Sequence, residues 1–333
     1  MAKKSRKRDR GEAPARAAWW LRWLLPVLLV GGLVVAVLHW GDLKAFAKLL
    51  AAVQPLWLLG ALALQVLTYV SLSAEWALVL ARDGKRAPPF RLLSLTIIKL
   101  FTDQVVPTAG LSGNMVVVHR LNRIVGSREL AVAAVILEIV AYCASYAVCT
   151  LAALAMIWLN GDISGFIVAI VTAFLCVAVA IPAGTLWLQR KGPSAAPKWL
   201  RRFDTAEDGL KLIGSAPKHL VRNPLLIAKL TALNGAVFVL DALTLLFCLF
   251  GLGVHASFEA AFVPLILASI VVTLGPIPMG LGSFEATSIG MLRVMGVPFE
   301  AALSATLLYR GFALWLPLAL GMALARRELK RER

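Results

Sequence analysis

The chain has 333 residues, of which 60% are hydrophobic, and its mean hydropathy is +0.81. This composition is too apolar for an ordinary soluble domain, and uncharged apolar stretches recur that are long enough to cross a bilayer core of roughly 30 Å. The formal net charge of +16 does not indicate nucleic-acid binding, because Lys and Arg cluster in short loops between apolar stretches, as they do in loops that face anionic lipid. The sequence therefore predicts an all-α polytopic membrane protein with no nucleic-acid partner.

The N-terminal residues 1–18 form a basic tail, which we expect to lie in the cytoplasm against the lipid surface. The apolar run that begins at Trp19 is too long for the core of a cleavable signal and lacks a small-residue cleavage site. We therefore predict a first membrane span over 19–40.

Further along the chain, uninterrupted apolar runs alternate with two runs that Pro and Gly interrupt. Full spans are predicted over about 54–80, 128–158, 163–188, 224–250 and 299–325. The interrupted segments cover about 92–118 and 258–291, with breaks at VVPTAGLSGN and GPIPMGLGSFE. If both are re-entrant, nearly all loop Lys and Arg share the side of the N-terminus, as cytoplasmic loops do. The prediction is thus about six full spans plus two broken re-entrant hairpins, with both termini, including a basic tail over 326–333, in the cytoplasm.

The loop over 189–223 is basic and joins the two halves of the chain. Its apolar residues fit one face of a helix with Lys and Arg around them: Trp199, Leu200, Phe203, Leu210 and Ile213. This pattern predicts a cytoplasmic amphipathic helix at the membrane interface. A solvated loop is the alternative.

The two halves align when Gly110 is placed on Gly280, which also places Gly126 on Gly296. Each half, over about 54–158 and about 224–325, then reads as a span, a broken segment and a span. Because the span over 163–188 reverses the direction of entry, the two repeats are predicted to be inverted. Inverted repeats with paired broken segments are typical of transporters that bind substrate near the bilayer midplane.

Each break contains residues that allow a helix to reverse inside a membrane. Proline ends the incoming half-helix and glycine permits a tight turn, while Ser283 is predicted to be the N-cap of the second outgoing half-helix. Free N–H groups at such half-helix ends suit a phosphate or carboxylate. The candidate binding residues at the breaks are Gly280, Gly282, Ser283, Gly110, Gly113 and Asn114. The alternative is a pair of packing kinks that bind no ligand.

Ionisable side chains within the predicted membrane segments each need a partner or a function. They are Glu75, Lys99, Asp103, Glu138, Asp241, Glu285 and Arg310. Lys99 and Asp103 lie four residues apart and are predicted to pair. Arg310 has few polar neighbours in its span, so we predict that it pairs with Glu285 or with an anionic ligand.

The remaining intramembrane acids leave alternatives open. Glu285 lies in the first turn of its half-helix, where capping alone would explain it. Asp241 and Glu138 look isolated; they either line the same cavity or make interhelical hydrogen bonds. Glu75 lies near the end of its span and is expected to snorkel. The candidate substrate-binding residues are thus Glu285, Arg310, Asp103 and Asp241 together with those of the breaks, and no catalytic group, metal ligand set or cofactor is predicted.

The segment PIPMGLGSFEATSIGMLRVMGVPFEAALSATLLYR (276–310) resembles the C-terminal signature of the lysylphosphatidylglycerol synthase transmembrane region family, whose members are described as flippase-like. The residues that carry the resemblance are Pro278, Gly280, Leu281, Gly282, Glu285, Gly296, Val297, Ala301, Ala302 and Arg310. The segment over 105–126 is similar to an earlier Pro/Gly element of the family that precedes a basic Leu-x-Arg. The resemblance covers residues 19–325 as a single transmembrane domain.

The resemblance implies an integral protein of the bacterial inner membrane that moves or handles lipids. In the multiple peptide resistance factors, a similar region translocates aminoacylated phosphatidylglycerol between leaflets. Because only RRELKRER follows the last predicted span, we expect this chain to lack the soluble aminoacyl transferase domain and not to be an enzyme.

The sequence therefore favours a lipid translocase that moves a polar or anionic headgroup through a midplane cavity, with membrane lipids as its partners. The alternatives are a non-catalytic membrane partner of a lipid-synthesis or lipid-modifying enzyme and an ion-coupled secondary transporter. A membrane-embedded transferase ranks lower, since no Asp-x-Asp or His/Asp cluster is present. No nucleotide-binding loop is present either, so direct ATP hydrolysis is not expected.

Overall fold

The computed structural model describes residues 53–105, 111–160, 165–191, 216–275 and 278–331. The regular elements in these ranges are all helical. The predicted tail over 1–18 and span over 19–40 lie outside the described residues. So do Gly110 and residues 192–215 of the predicted amphipathic linker.

The helices follow the predicted order of spans and interruptions. The first half contains α1 (Pro55–Arg82), α2 (Pro89–Val105), α3 (Leu111–Val125) and α4 (Arg128–Asn160), and α5 (Gly165–Lys191) follows. The second half contains the short α6 (Lys218–Val221), then α7 (Pro224–Gly251), α8 (Phe258–Leu274), a 3₁₀ turn at Pro278–Gly280, and α9 (Ser283–Val294). It ends with α10 (Phe299–Arg310), a π-helical turn at Gly311–Trp315, and α11 (Leu316–Arg331).

Five helices in the described part of the chain are long and apolar enough to cross a membrane. They are α1, α4, α5, α7 and the continuous run Phe299–Leu324. The predicted interruptions fall between α2 and α3 and between α8 and α9. The incoming helices α2 and α8 each have 17 residues, so at about 1.5 Å per residue they are shorter than a bilayer core.

Two pairs of helices that the alignment of the halves brings together, α1 with α7 and α2 with α8, have equal lengths. Helices α1 and α7 both have 28 residues, and a proline is the first residue of each. Gly126 and Gly296 both adopt a positive φ, of 68° and 84°, just before the last helical run of their half. This agreement extends the sequence alignment of the halves to their secondary structure.

Helices α1 and α7 pack against each other in opposite directions. The N–H of Gln54, just before α1, donates to the carbonyl of Gly251 at the end of α7 at 2.9 Å. At the other end, Asp83 Oδ1 lies 3.3 Å from Nε2 of His219, which lies in the short α6 just ahead of α7. These two helices therefore form an antiparallel pair.

Helix α4 is the most enclosed of the long helices and contacts α3, α5, α7 and α8. Two-thirds of its apolar window is buried, whereas only 17% of the α5 window is. Its Leu130, Ala133 and Leu137 are almost fully buried in the main apolar cluster. In a bilayer, exposed apolar side chains such as those of α5 face lipid chains at no cost, so α5 is a peripheral helix and α4 an interior one.

The N-caps of α7 and α1 offer a matched test of local stability. Asn223 Oδ1 accepts a hydrogen bond from Leu226 N at 3.1 Å, whereas Gln54 makes no side-chain cap bond to α1. We expect Asn223→Ala to lower the free energy of unfolding by about 1 kcal/mol and Gln54→Ala to lower it less. Equilibrium unfolding of the purified protein in mixed micelles would measure both; equal losses would contradict the prediction.

Candidate functional site

The second break is a tight reversal in which three residues have left-handed backbone. Met279, Gly280 and Gly282 have φ values of 60°, 61° and 84°. A methyl group at Gly280 would collide with the side chain of Val272, so the turn requires glycine there for both backbone and space. The left-handed conformation of Met279 is strained, on the order of 1–3 kcal/mol, and therefore needs support from its surroundings.

The N-cap of α9 is Gly282, not Ser283 as predicted from the sequence. Ser283 is the first residue of the helix, and its hydroxyl donates back to Gly280 O at 3.2 Å. The N–H of Gly282 donates to Glu285 Oε2 at 2.7 Å. The prediction was wrong because the cap residue has a positive φ, which favours glycine.

Glu285 and Arg310 form the predicted ion pair. Arg310 Nε donates to Glu285 Oε1 at 2.8 Å, and only 9% of the arginine side chain and 18% of the glutamate side chain are exposed. Arg310 Nη2 also donates to Met279 O at 2.8 Å. One guanidinium thus binds both the carboxylate at the start of α9 and the strained residue of the turn. Because Arg310 is the last residue of α10, these bonds hold the turn against that helix.

Aromatic rings enclose the pair on the side of α9 and α10. The Arg310 guanidinium carbon lies 5.0 Å from the centre of the Phe284 ring, a cation–π distance. The Phe284 ring stacks on Tyr309 with centroids 5.7 Å apart. Neither ring was singled out from the sequence. Their apolar character gave no sign that they would surround a charge.

Asp241 on α7 lies next to this site and has partners on α1. Gln65 Nε2 donates to Asp241 Oδ1 at 3.5 Å, and the Thr68 hydroxyl lies 3.3 Å from the same oxygen. Helix α7 also contacts α10, which carries Tyr309 and Arg310. Of the two interpretations of Asp241, the interhelical hydrogen bond is the one observed.

The first break carries a second ion-pair cluster. Lys99 Nζ lies 3.0 Å from Asp103 Oδ2, as predicted, and 3.4 Å from Glu138 Oε1 on α4. From the sequence Glu138 looked isolated, but in the structure it has a partner in Lys99. Within the described ranges no hydrogen bond or ion pair joins this cluster to Glu285 and Arg310.

Gly113 and Asn114 lie inside the first turns of α3 rather than in the reversal. The Gly113 N–H donates to Asp103 Oδ1 at 3.0 Å, so Asp103 binds the N-terminal end of α3 from α2. Asn114 is the fourth residue of the helix, and its side-chain oxygen is buried without a hydrogen-bond partner in the described structure. The expectation that Gly113 and Asn114 form the turn was wrong because α3 begins two residues earlier.

The two breaks thus share one arrangement. At each, a carboxylate accepts a backbone N–H at the start of the outgoing half-helix, and a cation pairs with that carboxylate. Asp103 reaches α3 from the incoming half-helix, whereas Glu285 belongs to α9 itself. Such helix ends and cations also suit an anionic ligand. At least one N–H at each end is occupied, contrary to the expectation that these groups are free.

A family model of the lysylphosphatidylglycerol synthase transmembrane region matches residues 23–321, which include both breaks and both ion-pair clusters. The chain belongs to this family. The match confirms the resemblance that the Pro/Gly-rich turn, Glu285 and Arg310 indicated. A UPF0104 membrane protein of Methanothermobacter thermautotrophicus is similar over 125 residues at 32% identity. That alignment covers 35% of this chain and 37% of the relative, so it spans little more than a third of the relative's length.

Proposed function

We propose that the protein is a lipid translocase of the flippase type and not an enzyme. It moves a polar or anionic headgroup between leaflets while the acyl chains stay in lipid. The observation that carries the proposal is the Glu285–Arg310 pair, a mostly buried cation held at the N-terminus of a half-helix inside a membrane segment. An intramembrane charge of this kind marks a substrate or ion path in most membrane proteins.

The fold supports the proposal through its internal symmetry. The matching helix lengths and the antiparallel packing of α1 and α7 are the relation that an inverted repeat requires. We place both broken segments as re-entrant hairpins that enter from opposite sides, beside about six full spans, in an inner membrane with cytoplasmic termini. Helix α2 contacts the Pro278–Gly280 turn and α11, which supports our proposal that the two breaks line one midplane site.

Binding would proceed by exchange of partners. Arg310 is 9% exposed while paired with Glu285, so an anionic headgroup reaches the guanidinium only as Glu285 turns away. The headgroup oxygen then replaces the carboxylate at Arg310 and at the Gly282 N–H. When the headgroup leaves, Glu285 returns, so the Arg310 cation has an anionic partner in both states.

Leaflet exchange in proteoliposomes tests this function. Purified protein would be reconstituted with headgroup-labelled lipids, anionic and zwitterionic in separate samples, and exchange would be followed with a membrane-impermeant quencher. We expect wild type to exchange label and Glu285→Gln to lose at least tenfold in rate. Glu300→Gln, which changes a carboxyl at the start of α10 away from the pair, is the matched control. If Glu285→Gln exchanged label at the wild-type rate, the assignment of the binding site to Glu285 and Arg310 would be wrong. If neither wild type nor the variants exchanged label, the protein would more readily be a non-catalytic partner of a lipid-synthesis enzyme.

A further inference from the structure

Glu75 on α1 is an acidic side chain buried in the described structure. Only 2% of the residue is exposed, and neither carboxyl oxygen has a hydrogen-bond partner among the described residues. The sequence predicted that it would snorkel, because it lies near the end of a span. Instead, it faces the interior beside Trp76, Val79 and Leu80 of the main apolar cluster. The snorkelling prediction was wrong because this face of α1 packs on other helices rather than on lipid.

The polar groups that face Glu75 come from each helix packed against it. Lys99 on α2, Glu138 on α4 and Asn234 on α7 are close enough to interact with the carboxyl. Lys99 is already bound to Asp103 and Glu138, and the Asn234 amide donates to Leu230 O at 3.2 Å. Both groups therefore already bind other acceptors, and neither makes a hydrogen bond to Glu75 in the described structure.

The charges of this group do not balance if all three acids are ionised. Lys99 would face Glu75, Asp103 and Glu138, which leaves two negative charges in excess in an apolar interior. An ionised carboxylate without a partner is very unfavourable there, and such groups become neutral instead. Among the described residues, His, Cys, Asp and Glu nowhere group in a way that could hold a metal ion. The remaining ligand that neutralises Glu75 is a proton.

We propose that Glu75 is a reversible proton-binding site whose protonation is coupled to movement of the first broken segment; the coupling rests on the proposed lipid translocation. On release, the O–H bond breaks, the electron pair stays on the carboxylate, and the proton passes to water. The Lys99 ammonium must then turn to the new carboxylate. Lys99 can turn toward Glu75 only when its contact with Asp103 is broken.

Asp103 connects the proton site to the hairpin. Its Oδ2 binds Lys99, which lies on the same helix, and its Oδ1 binds the Gly113 N–H of α3. A shift of α3 relative to α2 that draws the Asp103 carboxylate along therefore weakens its contact with Lys99. When α3 is in place, Lys99 stays with Asp103 and Glu75 keeps its proton. When α3 moves and Asp103 leaves with it, Lys99 is released toward Glu75 and the proton leaves. Lys99 then faces the two carboxylates of Glu75 and Glu138, so the net charge of the group is the same as before. One turn of the transport cycle would thus move one proton with the lipid.

The proton itself can be observed without any lipid movement. Infrared spectra of the full chain in lipid at neutral pH should contain the carbonyl band of a protonated carboxyl. We expect that band to be lost in Glu75→Gln and kept in Glu300→Gln. If the wild-type and Glu75→Gln spectra agree in this region, Glu75 is ionised and the proton site is overturned.

The coupling is tested by imposing a pH gradient of one unit on proteoliposomes of phosphatidylcholine with labelled phosphatidylglycerol. One pH unit is a tenfold proton ratio, so in wild type we expect the labelled lipid to become unequal between leaflets by up to about tenfold. We expect Glu75→Gln to give the same distribution with and without the gradient, and Glu75→Asp, which keeps the acid, to regain part of the response. Equal responses of wild type and Glu75→Gln would overturn the coupling. No exchange by any protein would overturn it together with the proposed function, while the infrared band would still decide the proton site.

Discussion

Arg310→Ala is expected to lower the free energy of unfolding by about 3–5 kcal/mol, the usual cost of removing one partner of a buried ion pair. The substitution leaves Glu285 in a mostly enclosed position with the Gly282 N–H as its remaining bond in the described structure. It also removes the donor from Met279 O, so the strained turn loses its attachment to α10. Glu285→Gln should cost less, because an amide oxygen still accepts from Gly282.

Equilibrium unfolding of the purified protein in lipid–detergent micelles would measure these costs. Arg293→Ala is the matched control, since Arg293 is an exposed arginine on α9. The double variant Glu285→Gln/Arg310→Ala should lose less than the two single variants added together, because they share one interaction. If Arg310→Ala cost no more than Arg293→Ala, the pair would contribute nothing to the turn.

Gly113→Ala is expected to destabilise the protein by about 1–3 kcal/mol, although alanine is the better helix former by about 1 kcal/mol. The added methyl group would collide with the Asp103 carboxylate, which binds the Gly113 N–H. Asp103 would have to withdraw from α3 and carry its contact with Lys99 along. Packing therefore overrides helix propensity at this residue.

Gly290→Ala on α9 is the control, because no atom lies within 4 Å of a methyl group there. It should stabilise the protein by about 0.5–1 kcal/mol, so the two glycine substitutions are expected to have opposite signs in the same unfolding assay. Removing the carboxylate with Asp103→Ala should make room for the methyl group. A Gly113→Ala substitution that remained as harmful in that background would refute the proposed collision.

The sequence predicted those features that depend on local chemistry or on a buried charge that needs a partner. The interruptions were visible because Pro and Gly end helices wherever they occur together, and Arg310 needed a nearby anion because its span offered none. The Lys99–Glu138 contact was missed because it joins distant segments of the chain. The burial of Glu75 was missed because α1 is apolar on nearly every face, so its interior side could not be recognised. The cap at Gly282 was missed because it depends on a positive φ, while Ser283 next to it is the residue type that usually caps a helix.

At both breaks the protein carries its own anion at the position where a bound anion would lie. A carboxylate tethered this closely acts at an effective concentration in the millimolar range or above, so a dissolved phosphate or carboxylate at lower concentration would rarely displace it. A lipid headgroup differs because the membrane confines it to two dimensions and its acyl chains hold it beside the protein. In the proposed translocase, the arrangement would therefore select against water-soluble anions and in favour of those that the bilayer presents at high local density. The same competition would keep binding weak enough for the proposed substrate headgroup to leave on the other side.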